Sequence, residues 1–344
     1  MKVGINNLEY VPKLKGKEII YIFDKEPLRE LLNTNLHCIH KDKIEHIDIN
    51  LTNFNIPCFK KCKIDDDLDL PPKKDYKFAI IIPNYNNDHG EYKGKTFLQN
   101  CIESILNQTY QNFEIIYVDD MSTDMSVETV KSYKDKRIHI IQNRRKKYNG
   151  GSRNVGIEYA LDNIEFDYFA FLDSDDWWKD KYVLSHINNK LYNHEMLLIG
   201  NEMLFKNGIT QPHINHYKDY EDLFFSINTV WCTAWCRIIR KDKIAYFPED
   251  TLMEDRVWSY EQADNINFDN VADLKEICYV WNRLNVTNSV SILRDKIWEA
   301  SAWKHIGQQL MFLERIKHKE MIPKIQERIE TCKEKVQRGT YQQY

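Results

Sequence analysis

The chain lacks any apolar run long enough to cross a bilayer. Its longest, such as Phe78 to Ile82, fall far short of the roughly 20 residues a membrane helix needs. Met1 to Tyr10 also lacks the basic-then-apolar layout of a secretion signal, so the expected location is cytoplasmic. An excess of one charge is missing too. Lys and Arg total 48 against 52 Asp and Glu, and the formal net charge of −4 gives no global attraction to nucleic acid or anionic lipid. Eight cysteines are present, but without a pattern that stands for a scaffold, and a chain of 344 residues needs no disulfide staples. Cys58 with Cys62, and Cys232 with Cys236, are spaced more widely than the usual zinc pair, and no His pair follows. Buried, reduced thiols are therefore expected. No internal repeat or low-complexity tract interrupts the chain.

What is present is the balance of a globular protein, 42% hydrophobic and 29% charged, with enough length for one large α/β domain and an appendage. The first 75 or so residues hold strand-like pieces, Glu18 to Phe23 and an alternating Ile47 to Leu51, but no recognisable site. An acidic run from Asp65 to Asp69, followed by Pro71-Pro72-Lys73-Lys74-Asp75, has the composition of a linker. The predicted division is thus a small appendage over 1–75, a main domain over 76–292 and a helical segment over 293–344.

In the main domain, β-rich runs at Phe78 to Ile82, Glu114 to Val118, Arg137 to Ile141 and Tyr168 to Leu172 alternate with helical patterns. One of these places Phe97, Cys101 and Ile105 beside Leu98, Ile102 and Leu106. Alternation of this kind predicts a mostly parallel sheet covered by helices on both faces, with ligands at the carboxyl ends of the strands. In the last segment Pro323 suits a first helical turn, and Ile322, Ile325, Ile329, Cys332 and Val336 follow three-four spacing. That stripe is too short for an independent coiled coil, so it docks either on the protein's own surface or on a symmetric partner.

The polar residues at the strand ends carry the chemistry. Phe171-Leu172-Asp173-Ser174-Asp175-Asp176 closes a buried strand with carboxylates. Asp173 and Asp175, two apart on an extended segment, project to the same side and suit Mg²⁺ or Mn²⁺, ions that complete their shell with substrate phosphates. Pro83-Asn84-Tyr85-Asn86-Asn87 follows the first strand of the domain, and the Tyr85 ring can stack on a nucleobase. After the second strand, Asp119 or Asp120 can accept a hydrogen bond from a base imide, while Ser122 or Thr123 caps the next helix. Asn149-Gly150-Gly151-Ser152-Arg153-Asn154 predicts close backbone approach to a ligand at the glycines, a helix cap at Ser152, and an anionic partner for Arg153 in the first turn. Arg144 to Lys147 form a basic run that is either solvated or flanks phosphates. Trp177 and Trp178 follow the carboxylates, and one of the two is a candidate sugar contact. Glu254-Asp255, taken alone, is an acidic pair opening a helix.

In this order the pieces FAIIIPNYN (78–86), FEIIYVDDMSTD (113–124), GGSRNVGIEYA (150–160) and FAFLDSDD (169–176) closely resemble family 2 glycosyltransferases of the GT-A fold. The likeness runs from about residue 78 to about 291, through Met253-Glu254-Asp255-Arg256 and VWNRLNVTNSVS (280–291). It implies a Rossmann-like, mixed and mostly parallel sheet. It implies as well an inverting enzyme that moves a sugar from a nucleotide donor, most often a UDP-sugar, with Mn²⁺ or Mg²⁺. By the same resemblance Asp255 is the general base and Asp175, with Asp173, the metal ligand. Pro83, Tyr85, Asp119, Asp120, Gly151, Arg153 and Asp173 surround the donor nucleotide, and Trp177, Trp178 and Glu254 lie toward sugar or acceptor. Trp231 to Trp235 fall where the family builds its acceptor floor. Arg283, Asn288 and Ser289 lie in a tail that closes over donor phosphates in relatives, although the usual Arg-His is Arg283-Leu284-Asn285 here.

The expected acceptor is a glycan or a lipid-linked precursor of a cell-surface polysaccharide or glycolipid. Hydroxylated bases in viral DNA are the alternative acceptor, disfavoured by the acidic balance. A nucleotidyltransferase is also conceivable, but it would carry a Gly-rich loop where Pro83 to Asn86 stand. A non-catalytic sugar-nucleotide-binding subunit and a homo-oligomer are the remaining expectations.

Overall fold

The computed structural model describes residues 18–22, 59–63, 74–214, 234–251, 254–284 and 296–338. The chain divides into two compact units, Met1–Lys74 and Asp75–Tyr344. In the first, β1 (Glu18–Ile22) and β2 (Phe59–Lys63) form an antiparallel pair, with Glu18 opposite Lys63 and Ile22 opposite Phe59. The expected strand at Ile47 to Leu51 and the acidic linker lie outside the described residues.

The second unit begins with β3 (Phe78–Asn84), α1 (Phe97–Leu106), β4 (Phe113–Asp119), α2 (Ser126–Ser132), β5 (Ile138–Gln142), α3 (Asn149–Asn163) and β6 (Tyr168–Phe171). β7 (Trp177–Trp178), α4 (Val183–Leu191), β8 (Met196–Phe205), β9 (Thr210–His213) and β10 (Arg237–Arg240) follow. α5 (Glu254–Asp264), β11 (Val271–Arg283), α6 (Lys296–Arg315) and α7 (Ile322–Gln337) complete it. The sheet order is β5-β4-β3-β6-β10-β8-β11-β7, with β9 pairing with β8. β3, β4, β5 and β6 are mutually parallel, β10 runs against both β6 and β8, and β8 and β11 are parallel again.

Sequence pattern accounts for these elements. Every residue of β3 is buried, so the strand reads as a continuous apolar run rather than an alternating one. Phe78, Ile80 and Ile82 face one layer with Leu98, Cys101, Ile102 and Ile105 of α1 and Leu184 and Ile187 of α4. Ala79 and Ile81 face the other, with Val155, Ile157 and Ala160 of α3 and Trp258 of α5. α1 opens on a capping box in which Thr96 and Gln99 each accept the other's backbone N–H, at 3.2 and 2.9 Å. α2 starts later than Ser122 or Thr123 would place it. Its first N–H, from Ser126, donates to Asp124 at 3.0 Å, while Ser122 serves β3 instead.

The apolar stripe of α7 docks on the protein's own surface. Ile325, Ile329 and Val336 are buried with Ala302, Ile306 and Phe312 of α6 and Tyr260 and Ala263 of α5. Among the described residues Cys101, Cys236 and Cys278 are buried free thiols, as the cysteine spacing led one to expect. Cys58 and Cys232 fall outside the described residues. No described helix is long and apolar enough to cross a membrane.

β3, β4 and β5 are laid down in one direction across the sheet, and the chain then returns to place β6 on the other side of β3. The gap between the carboxyl ends of β3 and β6 is therefore a topological switch point, the position where open α/β sheets leave a crevice.

Candidate functional site

At this switch point stand Asn84 and Tyr85 from β3, Asp119 and Asp120 from β4, Asn143 after β5 and Asp173 to Asp176 after β6. Tyr85 is 58% exposed, an aromatic ring left in solvent at the end of a fully buried strand. Pro83 is buried one residue inside that end, opposite Val118.

The two β4 carboxylates bind the loops together. Asp119 accepts from Ser122 N at 3.0 Å and, through its other oxygen, from Asn84 Nδ2 at 3.4 Å. Asp120 accepts from Asn143 Nδ2 at 2.7 Å and from Tyr148 N at 2.9 Å. Asp119 Oδ1, with one long contact, is the freest acceptor of the four oxygens.

The carboxylates after β6 divide in role. Asp176 is turned inward, accepting from Tyr279 Oη at 2.6 Å and from Asn282 N at 2.7 Å. Asp173 accepts from Arg153 Nη2 at 2.7 Å through Oδ1, and no described side chain donates to its other oxygen. Among the described residues no other side chain donates to the Asp175 carboxylate, although its carbonyl accepts from Asn282 Nδ2 at 2.9 Å. Burial, and then the negative charge of Asp173, push Asp175 up to about 6. Burial, followed by Asp175 and Asp173, also raises Asp176 well above the usual carboxylate range. Asp175 and Asp176 are thus held against the repulsion of neighbouring carboxylates, a setting that a cation would relieve. Among the described residues no three His, Cys, Asp or Glu side chains form a complete metal cage. Mg²⁺ and Mn²⁺ do not require one, since one or two carboxylates plus substrate phosphates suffice. The donor set thus fits a divalent cation.

The environment of Arg153 differs from the expected one. α3 begins at Asn149, so Arg153 lies past the first turn, and Ser152 is a buried helical residue rather than a cap. The Arg153 side chain is 3% exposed and its anionic partners are the protein's own: Glu254 Oε1 at 2.6 Å and Asp173 Oδ1 at 2.7 Å. Those carboxylates keep its guanidinium charged against the cost of burial. Burial pushes Glu254 up to about 7, with Arg153 opposing and Asp255 adding to the rise. Arg153 therefore joins the carboxylate segment after β6 to the start of α5, where Asp255 sits half-exposed.

The glycines also serve the fold. A Cβ on Gly151 would lie 2.0 Å from the Lys146 carbonyl oxygen, and one on Gly150 2.2 Å from that of Pro248. Their bareness admits neighbouring backbone. Arg145 of the basic run is paired with Glu158 and Glu249, while Arg144, Lys146 and Lys147 are exposed.

Both tryptophans after the carboxylates are packed. Trp178 is 2% exposed inside the core, and Trp177, 9% exposed, stacks on Tyr92 at 5.0 Å between ring centres. Trp178 is thus closed to a sugar. Trp235 stacks on Tyr279 at 4.3 Å and stiffens the support of Asp173 and Asp176, since Tyr279 Oη also accepts from Asp173 N at 3.2 Å. Trp231 to Thr233, Met253, Asn288 and Ser289 lie outside the described residues. Arg283 ends β11 with its guanidinium over the Trp281 ring. Sequence reasoning missed Asn87, which ties the loop after β3 to Ser174 Oγ at 2.6 Å, and it missed Asn143, Tyr279 and Asn282. Asn87 and Asn143 stand at strand ends, which was a usable signal; Tyr279 and Asn282 sit inside an apolar strand and gave none.

Residues 79–246 match Glycosyl transferase family 2. The central domain of this chain belongs to that family. The matched residues end before Glu254 and Asp255. An Escherichia coli protein, UDP-Glc:alpha-D-GlcNAc-diphosphoundecaprenol beta-1,3-glucosyltransferase WfgD, is 34% identical over 133 residues, which are 39% of this chain and 48% of that protein. A second E. coli glucosyltransferase with the same reaction in its name, WfaP, is 40% identical over 114 residues, 33% of this chain and 39% of its own. An uncharacterized glycosyltransferase of Haemophilus influenzae is 37% identical over 125 residues, 36% of this chain and 46% of its own. The chain thus spans about half or less of the length of these relatives. The structure of S. aureus TarS 1–349 in complex with UDP-GlcNAc superimposes with a TM-score of 0.50 and 22% identity, covering 68% of this chain and 66% of that one. The family 2 domain therefore has the GT-A fold.

Proposed function

We propose that the protein is an inverting glycosyltransferase that moves a sugar from a nucleoside diphosphate, most simply UDP, to a hydroxyl of a lipid-linked or other glycan acceptor. The observation that carries this reading is Asp175, a carboxylate to which no described side chain donates, beside Asp173 at the switch point that the exposed Tyr85 ring borders. The E. coli relatives, whose names specify UDP-glucose and a diphosphoundecaprenol-linked acceptor, support the donor and acceptor classes.

Asp175 and the free oxygen of Asp173 would hold a divalent cation. When bound, the cation supplies Lewis-acid stabilisation of the charge on the departing diphosphate. Tyr85 offers its ring to the base, and Asp119 Oδ1 accepts from the base imide N–H. Asp255 takes the proton from the acceptor hydroxyl as its oxygen attacks the anomeric carbon, and attack opposite the leaving diphosphate inverts that carbon. Arg153 orients Asp173 rather than the donor phosphates. Glu254 balances Arg153 instead of touching sugar.

Nucleotide release from UDP-, GDP- and dTDP-sugars with Mn²⁺, for the wild type and Asp175→Asn, tests the proposal. Metal-dependent release from one donor, abolished by the substitution, is the expected result. If no donor binds or turns over, the reading fails and a non-catalytic subunit takes its place.

A further inference from the structure

α6 lies beyond the residues that match the family, yet it is attached to both ends of the path that delivers Asp255. Glu249, Asp250 and Thr251 run toward α5, and each is held by α6. Gln308 Nε2 donates to the Glu249 carbonyl at 3.3 Å. Lys304 Nζ donates to Asp250 Oδ2 at 2.7 Å and to its carbonyl at 3.2 Å. Thr251 Oγ1 donates to the Ser301 carbonyl at 3.5 Å. Asp250 needs such holding, because its φ of 60° lies in the left-handed region.

The opposite side of the same segment is fixed to α3. Asn154 exchanges hydrogen bonds with Phe247 N and O at 2.8 and 2.9 Å, and also donates to Glu249 Oε1 at 3.0 Å. At the far end of α5, Asp264 accepts from Lys317 N at 2.9 Å, His318 N at 3.0 Å and His318 Nδ1 at 2.7 Å, just past the end of α6. Arg315 pairs with Glu261. Between these ends Ala302, Ile306 and Phe312 bury Tyr260 and Ala263 of α5.

We infer that α6 is a splint that sets the position of α5 along its own axis, and that Gln308 and Lys304 are positioning residues for Asp255. The inference rests on the proposed role of Asp255 as general base. Misplacing a reacting group by about 1 Å can cost as much as about 100-fold in rate. The Lys304–Asp250 pair is half-exposed on both sides and adds little to stability, so it reports geometry more than folding.

The test is the Lys304→Met/Gln308→Leu double variant in the full chain, with Lys304→Arg as the conservative control. Two measurements are made: donor KM and kcat with an acceptor, and amide hydrogen exchange over residues 247–251 and the first turn of α5. The expected result is a kcat at least about tenfold lower with donor KM unchanged, faster exchange confined to those residues, and recovery of both in Lys304→Arg. A rise in donor KM equal to the fall in kcat would point to general damage and overturn the inference. Exchange left unchanged in the double variant also overturns it, whatever the activity. Faster exchange with a wild type that transfers no sugar supports the splint and refutes the glycosyltransferase reading.

Discussion

Replacing Arg153 by Met roughly keeps the volume of the side chain and removes the guanidinium that bridges Asp173 and Glu254. Arg153 and Glu254 are both buried and are joined at 2.6 Å, so the substitution leaves a carboxylate in a poorly solvated site with Asp255 close by. Breaking a buried pair in this way costs about 3–5 kcal/mol. For the Asp75–Tyr344 unit that is a fall in Tm of roughly 5–9 °C. Glu254 has a way to reduce the cost. Its proton affinity is already raised to about 7 with Arg153 present, and loss of the cation raises it further, so in the variant it takes up a proton at neutral pH. A carboxyl whose folded value lies above its unfolded one stabilises the fold at low pH and loses that contribution as pH rises through the folded value. The gap between wild type and Arg153→Met should therefore be wider at pH 8.5 than at pH 6. Glu254→Gln keeps an acceptor for Arg153 and removes the repulsion from Asp255, so it should shift stability by no more than about 1 kcal/mol. Urea unfolding followed by tryptophan fluorescence and circular dichroism, with coincident transitions, gives both values. A loss below about 1 kcal/mol in Arg153→Met, or a gap that ignores pH, would refute the buried bridge.

Four other outcomes follow from the site. Asp255→Asn should lower kcat by about 100-fold or more while leaving donor KM in place, because the base acts on the acceptor; equal losses in binding and turnover would argue against that role. Tyr85→Ala should weaken UDP binding by about 1–3 kcal/mol in calorimetry without lowering Tm, since the ring is exposed, and unaltered affinity would remove Tyr85 from the base site. The increase in Tm produced by Mn²⁺ should be larger at pH 7.5 than at pH 5, because the proton that Asp175 binds below about 6 competes with the metal; the reverse trend would count against Asp175 as ligand. Gly151→Ala should destabilise by about 1–3 kcal/mol in the absence of any ligand, its new methyl meeting the Lys146 carbonyl at 2.0 Å, and a neutral effect in the melt would contradict the tight packing.

Much of the fold could be read from the residues because β3, β4 and β6 are short apolar runs ending in polar residues, a pattern few other structures produce. The direction of β10 and the pairing of β11 with both β8 and β7 could not, since those contacts join residues far apart and depend on the turned sheet rather than on local period. At the site, Asp173, Asp175 and Tyr85 were legible from their places at strand ends. Arg153 was legible as needing an anion, but its anions proved to be Asp173 and Glu254, the latter 101 residues away, a pairing that no local spacing reveals. Which of Trp177 and Trp178 packs in the core could not be read from the residues, because an indole suits a sugar and a core equally well and only burial sets Trp178 inside.

The Arg153 bridge also constrains how this sequence can change over generations. Asp173, Arg153 and Glu254 come from three separate stretches of chain and form one electrostatic unit in which loss of Arg153 strands both carboxylates. Neutral drift can therefore replace Arg153 only together with its carboxylates, whereas Glu254 can pass through an isostere such as Gln. Descendants that lose Arg153 should be found to have replaced Glu254 as well, so that the loop bearing Asp173 and the start of α5 are inherited as a single trait.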